Sequence, residues 1–335
     1  MSLQNEKSGN KMGYLSLCYH YIRSDTHNLF PRIIGTKEQE FKDQIKMIKN
    51  NFEIISLHDV EKFSYENLQF NNEKYKMLIT FDDGLSDHYN AAKILASNEI
   101  KATFFIPTCI IKETLPANPM IIHYGIAIYG LEKFLQVYEN ALKHFQYNDE
   151  FHLGYNPEND NVWKKIQELK LIFKYKLDYI KSRKVLLYIY ENLLLNDYPD
   201  IIKKIHLDKD EIREMIEMGH SIGVHTHTHI SVSATSLNEN EFYNEMILPK
   251  KYLETEFNTS VNAISYPFGE KKDCLSSIKL LNSTNEYKLA FTVEEIVNFQ
   301  NGSPLEIGRY QPKGNENIET LSNALSNIIE KSNSL

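Results

Sequence analysis

Cysteine is scarce in this chain: three residues among 335, Cys18, Cys109 and Cys274, with no C-x-x-C spacing. That excludes a disulfide framework and a thiolate zinc site, and leaves all three as expected core thiols. Tryptophan occurs once, and no apolar run approaches the roughly 18 residues that a membrane span needs, so no span is expected. Positive charge is in deficit, 37 Lys and Arg against 45 Asp and Glu, for a formal net charge of -8. Such a balance opposes broad attraction to phosphate backbones, so nucleic acid is not an expected partner. With 13 glycines and 10 prolines the chain is neither collagen-like nor low-complexity. Residues 1–12 are polar and lack the apolar centre of a signal peptide. A cytoplasmic location is the expectation for the sequence as it stands, and a longer native N-terminus carrying an export signal would reverse it. What remains is an ordinary globular composition, 42% hydrophobic, long enough for one large domain or two ordinary ones.

Short apolar runs rich in β-formers recur at 14–20, 53–56, 76–81, 102–107, 221–225, 262–267 and 288–293. Helical patterns separate several of them, which predicts an α/β fold, a parallel sheet or barrel. Thr36 with Gln39 forms a capping box ahead of Phe41, Ile45 and Ile48, and Asp208 with Glu211 repeats it ahead of Ile212, Met215 and Ile216. From about 115 to 206 the alternation stops. Three helical stripes follow one another there: Leu131 to Phe145, Trp163 to Ile180, and Val185 to Leu195. We expect one domain over 1–335, a helical insertion at about 115–206 and a C-terminal helix at about 317–332 whose face of Ile318, Leu321, Leu325, Ile328 and Ile329 docks on the body.

Two segments carry chemistry. Leu78-Ile79-Thr80-Phe81-Asp82-Asp83-Gly84 is an apolar strand ending in paired carboxylates and a glycine that permits a sharp turn. At the C-terminal end of a barrel strand, one carboxylate can hold a metal while the other handles a proton; taken alone, Asp-Asp-Gly serves equally as a helix-capping turn. His220-Ser221-Ile222-Gly223-Val224-His225-Thr226-His227-Thr228-His229 packs four of the 12 histidines into ten residues. His225 and His229 share one side and suit zinc or a similar divalent ion, the plainer alternative being a polar surface strand. The third ligand stays open: His227 would make a three-histidine site, Asp83 a carboxylate with two histidines.

These residues resemble the metal-dependent polysaccharide deacetylases of carbohydrate esterase family four, also called the nodulation-type deacetylase fold. Thr80-Phe81-Asp82-Asp83-Gly84 is similar to the family's T-F-D-D-G motif, and His225-Thr226-His227-Thr228-His229, after Gly219-His220-Ser221-Ile222-Gly223, to its H-[ST]-x-x-H motif. Ala102-Thr103-Phe104-Phe105-Ile106 is similar to the strand after the first motif, and Ser265-Tyr266-Pro267-Phe268-Gly269 to the third motif in its Y-P-F-G form. The resemblance covers about 14–309 outside the insertion, and implies a distorted (β/α) barrel with its site at the strands' C-terminal ends. It implies one divalent ion, zinc first with cobalt, nickel, manganese or iron compatible, held by Asp83, His225 and His229. Asp82 becomes the base, His227 a spacer, and the backbone N–H of Phe268, with Tyr266 beside it, the oxyanion and substrate side.

The chain departs from the commonest family pattern in two places. No histidine follows His229, so the usual late L-x-H acid is absent, whereas Leu17-Cys18-Tyr19-His20 resembles the L-x-Y-H opening of a circularly permuted branch that includes deacetylases of biofilm poly-glucosamine. His20 is therefore the expected general acid. The third motif also lacks its arginine, and Arg309 in Glu306-Ile307-Gly308-Arg309-Tyr310 is the expected group orienting Asp82. The function implied is metal-dependent hydrolytic N-deacetylation of an N-acetylhexosamine unit in a glycan or glycan precursor, so the expected partner is an N-acetylated sugar or glycan. The alternatives are a hydrolase of a non-sugar C–N bond on the same barrel, or an inactive carbohydrate-binding module. Oligomeric state is not legible.

Overall fold

The computed structural model describes residues 13–334 apart from 27, 67, 69, 71–73, 148–150 and 234–236. Each of the seven apolar runs holds a strand: β1 Tyr14–Tyr19, β4 Glu53–Ile55, β5 Lys76–Phe81, β6 Thr103–Ile106, β7 Ser221–Val224, β8 Ala263–Ser265 and β9 Leu289–Phe291. Two short strands, β2 Ile22–Arg23 and β3 Thr36–Lys37, pair separately. All pairings between strands of the main sheet are parallel, in the order β1-β5-β6-β7-β8-β9, with β4 against the first half of β5. β1 and β5 are buried along their whole length, as expected of parallel strands covered on both faces.

The sheet curls, and its two ends are joined by single bridges rather than by a further strand. Ile307 pairs parallel with Phe291, and Tyr310 parallel with Leu17. The α/β barrel read from the sequence is thus borne out, as an open barrel closed by the irregular segment 297–310. Side-chain alternation along the strands then sorts two cores. Leu15, Leu17, Met77, Ile79 and Phe81 face the surrounding helices. Tyr14, Leu78, Phe105, Ala263, Leu289 and Phe291 face the narrow interior. Cys18 is in phase with Tyr14, and Thr80 and Asp82 are in phase with Leu78, so all three point inward toward the closing segment.

Helix boundaries differ from the sequence reading in three places. The first helix, Glu38–Asn51, is capped one residue later than expected: the backbone N–H of Lys37 donates to Glu40 (3.2 Å), because Thr36 is drawn into β3. In the 115–206 region a further helix, Asn118–Tyr129, precedes the first stripe. It is apolar almost all round and largely buried, so no amphipathic stripe betrays it. The second stripe is cut in two near Leu177, where the carboxylate of Asp178 accepts the N–H of Lys181 (2.9 Å) and starts the helix Tyr179–Ile189. Asp208 caps Lys209–Glu217 as read, with Glu211 returning to its backbone. The last helix is Ile318–Asn333, capped by Asn317, with Leu321 and Leu325 fully buried. Among the described residues no helix is long and apolar enough to cross a membrane.

His206 fastens both ends of the helical region beside the sheet. Its Nδ1 donates to the carbonyl of Gly84 (3.1 Å), and its Nε2 accepts the N–H of Ala117 (3.3 Å). Gly84 has a positive φ of 56°, and an added Cβ would meet Ile110 at 2.8 Å, so the turn that follows the paired carboxylates requires glycine.

Candidate metal centre and deacetylase site

Asp82 and Asp83 follow β5, His225 follows β7, and Tyr266 follows β8, so the strand ends gather the candidate residues at one mouth of the barrel. Asp82 continues the strand: its N–H donates to Tyr19 (3.0 Å), and its side chain faces the interior. Asp83 breaks away at a φ of 81°, sending its carboxylate to the other side of the turn. Thr226, His229 and Phe268 also adopt positive φ, of 56°, 65° and 65°. Such strain in non-glycine residues costs on the order of 1 kcal/mol each and persists where the surroundings over-determine it. Here the surroundings are visible. The Thr226 hydroxyl accepts the N–H of His229 (3.0 Å), while the buried Glu245 carboxylate accepts the N–H groups of His227 (3.0 Å) and Thr228 (2.9 Å) and the Thr228 hydroxyl (2.8 Å).

Asp83, His225 and His229 present ligand atoms that all lie within 4.8 Å of one another, and all three side chains are buried. Oδ1 of Asp83 stands 3.4 Å from Nε2 of His225 and 3.1 Å from Nε2 of His229, yet it has no hydrogen-bond partner. The reason lies behind His225. Its Nδ1 is 2.9 Å from the carbonyl oxygen of Ser265, which only accepts, so Nδ1 carries the hydrogen. A neutral ring in that tautomer turns a lone pair on Nε2 toward the carboxylate, so that two acceptors face one another, an arrangement suited to a shared cation. Burial opposes ionisation of Asp83, but the two imidazoles outweigh it and hold the carboxyl well below its usual range. Burial likewise opposes protonation of His225, and the Asp82 and Asp83 carboxylates outweigh it and raise its pKa; burial prevails at His229 and lowers it. A buried carboxylate with two imidazoles is a donor set suited to a divalent metal.

The alternative third ligand is placed elsewhere. Nδ1 of His227 lies 2.8 Å from the Thr108 hydroxyl and Nε2 2.9 Å from Glu113, so both its nitrogens are engaged away from the centre.

Asp82 sits against the fully buried Arg309, which uses all five N–H bonds. Nη1 donates to Asp82 Oδ1 (2.8 Å) and Thr80 (3.0 Å), Nη2 to Asp82 Oδ2 (2.8 Å) and Ser265 (2.8 Å), and Nε to the carbonyl of Thr292 (2.9 Å). Phe105 and Phe291 flank its guanidinium at 5.6 and 5.7 Å. Ser265 (2.9 Å) and Cys18 (3.3 Å) also donate to Oδ2. Oδ2 therefore carries three donors and Oδ1 one. Burial again opposes ionisation, and Arg309 outweighs it, holding Asp82 well below the usual carboxylate range. The expectation for Cys18 needs correcting. All three cysteines are buried and free, but Cys18 is a donor to Asp82 and not merely a core filler.

His20 lies at the cleft edge with Nε2 4.0 Å from Asp83 Oδ2 and Nδ1 3.9 Å from Cys18 Sγ. Phe268 is at the rim, its ring edge-on to His229 at 5.0 Å, and its backbone N–H has no partner among the described residues. Tyr266 departs from its expected role. Its hydroxyl donates to Leu305 (3.1 Å) and its N–H to Phe291 (3.0 Å), so it forms cleft wall and has no donor left for substrate. The cleft, of about 540 Å³, is walled on the other side by the helical region, including Met120, His123, Lys170, Tyr175 and Tyr179. Sequence reasoning missed these residues, and also Glu245, whose role depends on a fold-back across 17 residues.

The comparisons with known proteins agree with this geometry. Residues 178–287, which hold the histidine motif and the Y-P-F-G segment, match the polysaccharide deacetylase family model. No curated protein matches the chain in sequence. Among solved structures, the Streptococcus pyogenes deacetylase PplD in complex with acetate is similar at 17% identity and a TM-score of 0.57, over 94% of this chain and 99% of that one. IcaB from Ammonifex degensii is similar at 14% identity and 0.54, over 94% and 97%. A de-N-acetylase from Aggregatibacter actinomycetemcomitans is similar at 14% and 0.53, over 93% and 99%. At these identities the likeness is one of fold. The resemblance to polysaccharide deacetylases read from the motifs is borne out, in sequence over 178–287 and in fold over most of the chain.

Proposed function

We propose that the protein is a hydrolase that removes the acetyl group from an N-acetylhexosamine unit of a glycan or glycan precursor, with a divalent metal held by Asp83, His225 and His229. One observation carries this reading: three buried side chains bring their ligand atoms together, with the Asp83 Oδ1 among them lacking a hydrogen-bond partner among the described residues, beside a carboxylate clamped by a buried guanidinium in an open cleft. Asp83, His225 and His229 would hold a divalent ion that, when bound, would supply Lewis-acid polarisation of the acetamido carbonyl and acidify a water; zinc suits the ligands, and cobalt, nickel, manganese and iron are also compatible.

Asp82 accepts the proton of the attacking water at Oδ1, the oxygen with a lone pair to spare. Arg309 fixes the orientation of that carboxylate, so the base needs no reorganisation. As water oxygen bonds to the carbonyl carbon, the N–H of Phe268 donates to the developing oxyanion. His20 gives a proton to the nitrogen as the C–N bond breaks, leaving acetate and the free amine. The test is acetate release from N-acetylglucosamine oligomers. Asp82→Asn and His20→Gln are each expected to lower the rate by about 10²–10⁴-fold, with His227→Gln close to wild type. An Asp82→Asn variant as active as wild type contradicts the assignment.

A further inference from the structure

Charges around the cleft are almost all matched. Lys174 pairs with the buried Asp273 (2.8 Å) and Lys272 with Glu270 (2.8 Å). Asp82 is matched by Arg309, and Asp83 belongs to the metal centre. Lys170 is the exception. It lies on the helix Val162–Leu171, lines the cleft, is half-buried, and has no hydrogen bond, ion pair or ring contact among the described residues. Burial alone pushes its ammonium pKa down, with no carboxylate acting against it, and its charge in turn helps lower the pKa of His123 in the same wall. An unmatched, partly desolvated ammonium is a cost to the folded state unless something in the cleft offsets it.

We infer that Lys170 receives an anionic group of the substrate, a carboxylate or phosphate borne on or next to the N-acetylated sugar, so that the protein selects acidic over neutral acetamido sugars. This rests on the deacetylase reading for the identity of the sugar, and on Lys170 alone for the charge. The Lys170 ammonium donates to the anion, and the ion pair forms inside a walled cleft, where it is screened less than at an open surface. One charge-assisted contact of this kind corresponds to about a tenfold preference.

The test measures binding of three probes to the full chain by calorimetry, with and without added zinc: neutral N-acetylglucosamine, N-acetylmuramic acid for a carboxylate, and N-acetylglucosamine 1-phosphate for a phosphate. At least one acidic probe is expected to bind about tenfold more tightly than the neutral one, and the tighter of the two identifies the anion. Lys170→Gln should bring the acidic-to-neutral ratio to about one, Lys170→Arg should retain it, and the exposed Lys203→Gln serves as control. Equal binding of all three by wild type, binding of none, or a ratio unchanged in Lys170→Gln overturns the inference. Acetate release scored in parallel separates the two readings. A Lys170-dependent preference without acetate release sinks the deacetylase assignment and keeps the anion site, whereas release without charge preference does the reverse.

Discussion

Arg309→Met removes the five donors that organise the barrel interior, and its cost can be worked from the contacts. Asp82 loses both arms of a bidentate pair, each 2.8 Å long, and keeps donors only on Oδ2, from Ser265 and Cys18. Thr80, Ser265 and the carbonyl of Thr292 lose a donor too. Removing one partner of a buried pair leaves an uncompensated charge and costs about 3–5 kcal/mol. Urea unfolding at pH 7 should show that loss. Because the cost is the stranded charge, Asp82→Asn placed on top of Arg309→Met should recover a large part of it, although a hydrogen-bond acceptor is also lost. Arg309→Lys should lose less stability than Arg309→Met, since an ammonium keeps the charge without the fork, and its acidic activity limb should shift upward as Asp82 becomes easier to protonate. A variant Arg309→Met within about 1 kcal/mol of wild type, or a double variant no more stable than the single one, refutes this account of the clamp.

Two further predictions follow from groups outside the reacting set. Glu245→Gln keeps the size of the side chain but weakens three hydrogen bonds to the loop carrying His225 and His229, so metal affinity should fall about tenfold, read by competition with a chelating dye, with little change in the unfolding midpoint of the metal-free chain. His88 and His206 are buried and neutral, each donating from one nitrogen and accepting an N–H at the other, and burial lowers both pKa values to about 4. Between pH 6.5 and 4 the unfolded chain binds these protons and the folded chain does not. Stability is therefore full above pH 6.5 and falls on acidification by about 1.4 kcal/mol per pH unit for each histidine, measurable as urea midpoints from pH 7.5 to 4.5; His206→Asn should flatten the slope.

The strands were legible because parallel strands buried on both faces leave apolar runs, as Met77 to Ile79 in the fully buried β5 illustrates. The ligand candidates were legible because paired carboxylates and dense histidines are costly at a strand end unless something uses them. Spacing left Asp83 and His227 level as third ligand and the family resemblance chose Asp83; the physical reason shows only in three dimensions, in the positive φ of Asp83 and the engagement of His227 with Thr108 and Glu113. Arg309 stood out as a candidate, but its partners did not: Thr80 and Ser265 meet it because β5 and β8, separated in the sheet by β6 and β7, share an inward phase, and Cys18 on β1 reaches the Asp82 carboxylate that Arg309 holds. The helix Asn118–Tyr129 was hidden by being apolar all round, and the break at Asp178 by a cap lying inside a continuous apolar stripe. Tyr266 looked like a substrate contact in a motif, and its hydroxyl turned out to be committed to Leu305.

Elemental analysis of the purified protein, beside Asp83→Asn, His225→Gln, His229→Gln and His227→Gln, tests the central claim most directly. The account predicts about one divalent ion per chain in wild type and in His227→Gln, and its loss in the other three variants. Retention of metal by Asp83→Asn with loss in His227→Gln, or no binding by wild type even after reconstitution with zinc, cobalt, nickel, manganese and iron, contradicts it.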